Sequence, residues 1–96
     1  MTMSDLHVVA TIPVTEGFDE VLEAMRQFAV LTREEDGCLE YDVYTSNAAP
    51  DTIVTVEVWR DQAALDGHMA SPHMADVMGR HGAKLGALAI HPLTPA

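Results

Sequence analysis

The chain has 96 residues, enough for one domain spanning residues 1–96 and too few for two. Five basic against fifteen acidic residues give a formal charge of -10, which argues against nucleic acid and anionic membrane as partners because both are bound through Lys and Arg. Hydrophobic residues make up 48% of a chain too short to build a large core, so part of that apolar surface is expected at a subunit interface.

The first stretch, "MTMSDLHVVATIPV", carries neither a basic leader nor a clean apolar run, and no segment approaches the ~18 apolar residues of a membrane span. A cytoplasmic location is the expectation. With Cys38 as the one cysteine, no intrachain disulfide can form.

"LHVVATIPV" (6–14) alternates Leu6, Val8, Ala10 and Ile12 against His7, Val9 and Thr11, a strand with apolar residues on both faces. The period then changes. Phe18, Val21, Leu22, Met25 and Ala29 fall at helical spacing, with Thr15 as the expected N-cap and Gly37 closing the segment. "CLEYDVYTS" (38–46) sets Leu39, Tyr41 and Val43 against Glu40, Asp42 and Tyr44, and "NAAPD" supplies a turn. "TIVTVEVWR" (52–60) is a strand with Val54, Val56 and Val58 on one side and Thr55, Glu57 and Trp59 on the other.

Asp61 is placed to cap a short helix that carries Ala64, Leu65, His68 and Met69 inward. Ser71 and Pro72 then form a fresh N-cap and N1 pair, which restarts the helix. Its continuation aligns His73, Val77 and His81 at i, i+4 and i+8, with Arg80 beside them. Gly82 or Gly86 ends it, "LGALAIHPL" (85–93) is the last strand, and the tail "PLTPA" is expected to fray or reach a partner.

The order is β-α-β-β-α-β, an α+β ferredoxin-like arrangement with an antiparallel sheet and the helices on one face. The other face, bearing Val54, Val56 and Val58, would lie open, and an apolar face of that extent implies a homodimer formed sheet to sheet.

Glu57 sits mid-strand on the face the helices cover. A carboxylate there must be hydrogen-bonded or line a wet cavity, so it either ties to a helix-borne Arg or His or orients a catalytic histidine. Trp59 is a core anchor, a wall of an aromatic-binding cavity, or both. His68 is a satisfied core histidine or a general base. His73, in the first turn of its helix where the dipole disfavours imidazolium, is a capping residue or a second, neutral base. Met25, Met69, Met74 and Met78 offer a pliable cavity lining or plain core. A metal is not expected, because five residues across a helix break should not bring His68 and His73 onto one face.

"EEDGCLEYDVY", "APDTIVTVEVW" and "LDGHMASPHM" together resemble the antibiotic biosynthesis monooxygenase family, chiefly its small quinol monooxygenase-like members. The resemblance implies a dimeric α+β barrel that oxygenates a quinol-like or phenolic aromatic with dioxygen and uses no flavin, haem or metal cofactor. His68 as base, Glu57 as orienting group and His73 as accessory fit the roles it implies, and the placement of the residues themselves assigns Trp59, Tyr41, Met69 and Val77 to the substrate pocket.

Polyketide-oxygenating members carry Asn and Tyr where this chain has Thr55 and Leu65, so their mechanism does not transfer. Haem-degrading relatives have Trp and His at the positions of His68 and Met78. The autoinducer-2 degrading isomerases share the Glu57 strand and the His68-x3-Pro72-His73 block. They leave an isomerase of a phosphorylated ketone as the second reading, with a non-catalytic small-molecule-binding dimer as the third.

Overall fold

The computed structural model describes residues 5–96, so residues 1–4 of the stretch inspected for a leader lie outside it. There are four strands, β1 (Leu6–Pro13), β2 (Cys38–Thr45), β3 (Thr52–Trp59) and β4 (Ala89–Leu93), with helices between β1 and β2 and between β3 and β4. The helices are α1 (Phe18–Arg33), α2 (Gln62–Met69) and α3 (Pro72–His81), followed by a 3-10 turn at Gly82–Lys84. The sheet order is β2-β3-β1-β4, and every neighbouring pair is antiparallel. This is the ferredoxin-like α+β arrangement that the element order predicts, with its second helical segment broken at Ser71.

Facing residues of an antiparallel ladder share a side of the sheet. Val8 and Tyr41 lie opposite Glu57, Ala10 and Val43 opposite Thr55, and Cys38 opposite Trp59. Under the helices this side is closed: Val8, Ala10, Tyr41, Thr55, Glu57 and Trp59 are all buried. On the other side Val9, Thr11 and Val54 are half-buried, and Val56, Tyr44 and Leu93 are exposed. Val58 alone of the three valines is buried there, between His7 and Glu40 on the two adjacent strands.

Local details depart from the sequence pattern where a long-range bond outcompetes a local one. Gly17, at φ 65°, takes the N-cap position of α1 instead of Thr15. The Thr15 amide and hydroxyl both donate to the Lys84 carbonyl, tying the exit of β1 to the turn before β4. A bulge between Cys38 and Glu40 pushes Leu39 out to solvent and gives Cys38 the inward place opposite Trp59. The stripe of α1 runs through Val21, Met25, Phe28, Ala29 and Thr32, with Phe18 and Leu22 only partly covered. β4 is shorter than its apolar run. Leu85 makes a single bridge to Val14, and regular pairing starts at Ala89. Pro92 and Leu93 of the tail belong to this edge strand, where a missing N–H costs no ladder bond if it points outward.

Two junctions set the positions of the chemistry. Asp61 Oδ1 accepts from the Ala64 amide at 2.9 Å and starts α2. Ser71 Oγ accepts from the Met74 amide at 3.3 Å while its hydroxyl donates to the His68 carbonyl at 2.7 Å, so one side chain ends α2 and begins α3. Gly37 has φ 90°, and a Cβ there would stand 2.5 Å from the Ala64 Cβ. Only glycine lets the α1–β2 connection lie so close against α2.

Candidate functional site

The site begins at the end of α1. Glu35 follows the last turn, its amide donating to the Thr32 carbonyl at 3.0 Å. It prolongs the Val21, Met25, Phe28, Thr32 stripe, so its side chain emerges toward α2 and α3. One carboxylate oxygen, Oε2, lies 2.7 Å from His68 Nδ1 and 2.8 Å from His73 Nε2. A carboxylate accepts, so each of these ring nitrogens donates and carries a hydrogen. In the neutral ring the lone pair of His68 then sits on Nε2, which makes no hydrogen bond among the described residues.

The His68 side chain is 3% exposed. Trp59 lies against it at 4.7 Å between ring centroids and a 36° tilt, with Phe28 at 5.4 Å and Tyr41 at 5.7 Å. Phe28 also covers His73, at 5.2 Å. Three rings and one carboxylate therefore fix the imidazole in place and choose its tautomer.

Glu57 is placed differently from the role expected of it. Its Oε2 accepts from the Thr55 hydroxyl at 2.6 Å and its Oε1 from the Trp59 indole N–H at 2.9 Å. Residues two apart on a strand share a face, so this buried carboxylate is satisfied by its own strand and makes no hydrogen bond to either histidine. Its charge is felt across the ladder. Burial, and after it the Glu57 charge, holds the Tyr41 phenol well above its ordinary range, so Tyr41 is a neutral donor.

A cavity of about 200 Å³ opens between the sheet and the helices. Its floor is Ala10, Tyr41, Thr55 and Glu57, and His68 stands in its wall with Met25, Phe28 and Leu65. Helix α3 contributes Met74, Val77 and Met78, while Leu88 and Ile90 lie toward β4. No Lys or Arg lines it. Met69 reaches the lining but is 43% exposed, a rim position. Trp59, fully buried behind His68, does not line the cavity at all, so its place is to back the imidazole.

His68, Tyr41, Val77 and Glu57 thus line one cavity, with His73 in the adjoining groove beside Phe28 and Val77, while the orienting role expected of Glu57 is taken by Glu35. Phe28 also lines the cavity and, with Glu35, is left unmarked by the sequence pattern, whereas Thr55 and His81 reach it from the faces that pattern assigns. Glu35 could have been found by carrying the α1 heptad-like spacing two residues past the helix end. The expectation that the helix break keeps His68 and His73 from meeting on one face is not met, since both rings reach Glu35 Oε2. The Ser71 break turns α3 back so that both imidazoles meet Glu35, and the three ligand-type atoms lie within 4.8 Å of one another.

Residues 5–80 match the antibiotic biosynthesis monooxygenase family model, a span that holds the Glu35–His68–His73 group and the Tyr41–Thr55–Glu57 floor. The chain belongs to the antibiotic biosynthesis monooxygenase family. A Mycobacterium tuberculosis relative named "Putative monooxygenase Rv0793" is 40% identical over 65% of this chain and 56% of its own. An Escherichia coli relative named "Probable quinol monooxygenase YgiN" is 32% identical over 72% of this chain and 77% of its own. The crystal structure of PA3566 from Pseudomonas aeruginosa superposes with a TM-score of 0.88 at 30% identity, covering 100% of this chain and 98% of that one. The chain spans 37% and 56% of the length of two curated relatives it matches. No helix among the described residues of this family member is long and apolar enough to cross a membrane.

Proposed function

We propose that the protein is a monooxygenase of small phenolic or quinol-type aromatics, with His68 as general base. The observation that carries this is the Glu35–His68 pair at 2.7 Å beside the apolar cavity. Glu35 holds the hydrogen on Nδ1, leaving Nε2 to accept a phenolic proton, and the carboxylate stabilises the imidazolium that results. A cavity of ~150 Å³ already admits benzene, so about 200 Å³ suits a one-ring or small two-ring substrate.

The phenolate is the electron-rich form that reduces dioxygen. For a hydroquinone the reaction balances as hydroquinone plus dioxygen giving a hydroxybenzoquinone plus water. One oxygen atom enters the ring, the other leaves as water, and the substrate supplies all four electrons. No external reductant or organic cofactor is required. The apolar lining excludes bulk water from the reactive intermediate. Tyr41, kept protonated, can donate to a developing oxyanion. An isomerase of a phosphorylated ketone fits less well, because no cationic side chain lines the cavity to neutralise a phosphate.

We also propose that the open sheet face, with Val9, Val54, Val56, Tyr44 and Leu93, is covered by a second copy of the chain.

The test is dioxygen uptake with a panel of one-ring hydroquinones and two-ring naphthohydroquinones, under a metal chelator and after subtraction of autoxidation. The wild type is compared with His68→Ala and His68→Gln, each checked for cooperative unfolding. Uptake that collapses in both variants, with one atom from 18O2 in the product and one in water, is expected. Turnover that persists under argon would point to an isomerase, and binding without turnover to a binding dimer; either sinks the oxygenase reading.

A further inference from the structure

Glu35, His68 and His73 supply two imidazole nitrogens and one carboxylate oxygen, all within 4.8 Å of one another. That ligand set, two His and one carboxylate, is the one borderline first-row divalent ions take, with positions left for water. A zinc ion sits roughly 2.0–2.2 Å from such ligands. In a tetrahedral site this separates them by ~3.4 Å, against the 2.7 and 2.8 Å of the hydrogen bonds now made to Glu35 Oε2. Forming the site takes a withdrawal of that one oxygen by ~0.6 Å and a side-chain adjustment of the two ring nitrogens, which lie within 4.8 Å of each other, to the same ~3.4 Å. The remaining elements stay put, because Ser71 fixes the turn between the two histidines and Phe28 packs on both rings.

Access is graded. The side chains of Glu35 and His73 are 16% and 18% exposed, and that of His68 is 3% exposed. An ion can therefore arrive from the His73 side and meet His68 last. A formal charge of -10 draws cations to the surface and favours arrival.

We propose that Glu35, His68 and His73 form a binding site for a divalent first-row metal ion such as Zn2+ or Co2+, and that filling it switches His68 off as a base. Coordination uses the lone pair of His68 Nδ1. In a neutral ring the hydrogen of Nδ1 must then sit on Nε2, and likewise that of His73 Nε2 moves to Nδ1. No proton is gained or lost overall: two tautomers exchange. The nitrogen of His68 that Glu35 leaves free, Nε2, changes from acceptor to donor, so the metal-loaded protein can polarise a carbonyl but cannot deprotonate a phenol. The binding claim stands on geometry alone, whereas its consequence for turnover rests on the oxygenase reading above.

The experiment is a titration of the full chain with Zn2+ by calorimetry and with Co2+ by visible absorption, alongside 15N histidine NMR of the same samples. One ion per chain is expected, with d–d bands of low-symmetry Co2+ and a His68 that passes from the Nδ1–H to the Nε2–H form. His73→Ala and Glu35→Gln should each weaken binding by at least about tenfold, while His7 and His91 remain to report any surface binding. Thermal melts show whether the variants fold. Zn2+ should raise the midpoint of the wild type and not that of His73→Ala. Equal affinity in the wild type and both folded variants would overturn the site. So would saturable binding that leaves the His68 tautomer unchanged. Where an oxygenase substrate is in hand, Zn2+ should suppress uptake and a chelator restore it; stimulation by Zn2+ would overturn the switch. Because binding and tautomer are read without turnover, failure of the oxygenase reading leaves them interpretable.

Discussion

Replacing Glu35 by Gln isolates the charge at the centre of the site. The amide has the shape of the carboxylate and can still accept from both rings, so packing is conserved and only ionic character is lost. A hydrogen bond to a charged group contributes ~1.5–3 kcal/mol and a neutral one ~0.5–1.5 kcal/mol. Each of the two bonds, at 2.7 and 2.8 Å, therefore loses about 1 kcal/mol. With Glu35 and His73 only partly shielded, the sum is about 2 kcal/mol, or a melting shift on the order of 10 °C for a domain of this size. Urea unfolding followed by Trp59 fluorescence measures it, since Trp59 is the one tryptophan and lies against His68. Glu34→Gln, one residue away on an exposed side chain, is the control and should stay within about 0.5 kcal/mol. A Glu35→Gln loss no larger than that of Glu34→Gln, at unchanged slope, would refute the claim that this carboxylate anchors both imidazoles.

Thr55→Val removes the 2.6 Å donor to Glu57 without changing side-chain volume, and a buried carboxylate oxygen left short of a partner should cost about 1–3 kcal/mol in the same urea assay. Burial, with the Glu35 and Glu57 charges behind it, pushes the Cys38 thiol up to about 11 from 9.0. Native Cys38 should therefore be alkylated by iodoacetamide at pH 8 roughly 100-fold more slowly than in urea. The sign for stability follows: the contribution is complete below pH 9, where both states hold the thiol proton, and is lost as pH rises through 11. Val56→Lys puts a charge on the open face at a residue already 40% exposed; if a second copy covers that face, sedimentation velocity should show a dimer for the wild type and a monomer for the variant.

Much of the architecture is legible along the chain because it is local. Alternation in 52–60 assigns Thr55, Glu57 and Trp59 to the covered face, and Ser71-Pro72 states its own helix restart, since capping and proline geometry act over three or four residues. Asp61 behaves likewise. Thr15 does not: its expected local cap is overridden by a carbonyl 69 residues away. Leu39 fails for a related reason, because a bulge is decided by the pairing of two strands and reverses the alternation of one.

By itself the sequence determined the order of elements, the acidic surface, the inward side of β3 with Glu57 and Trp59, and the two histidines flanking Ser71-Pro72. Each follows from periodicity or from a bond between near neighbours. Tertiary structure decided which carboxylate serves those histidines. Glu57 and Glu35 are both acids next to buried rings, yet Thr55 and Trp59 satisfy the first within its own strand, while the close approach at Gly37 delivers the second to His68 and His73. The His68 tautomer, and with it the nitrogen free to act, depends on that contact across 33 residues. A hydrogen bond between groups so far apart has no period, because it is set by how α1, α2 and α3 pack on the sheet.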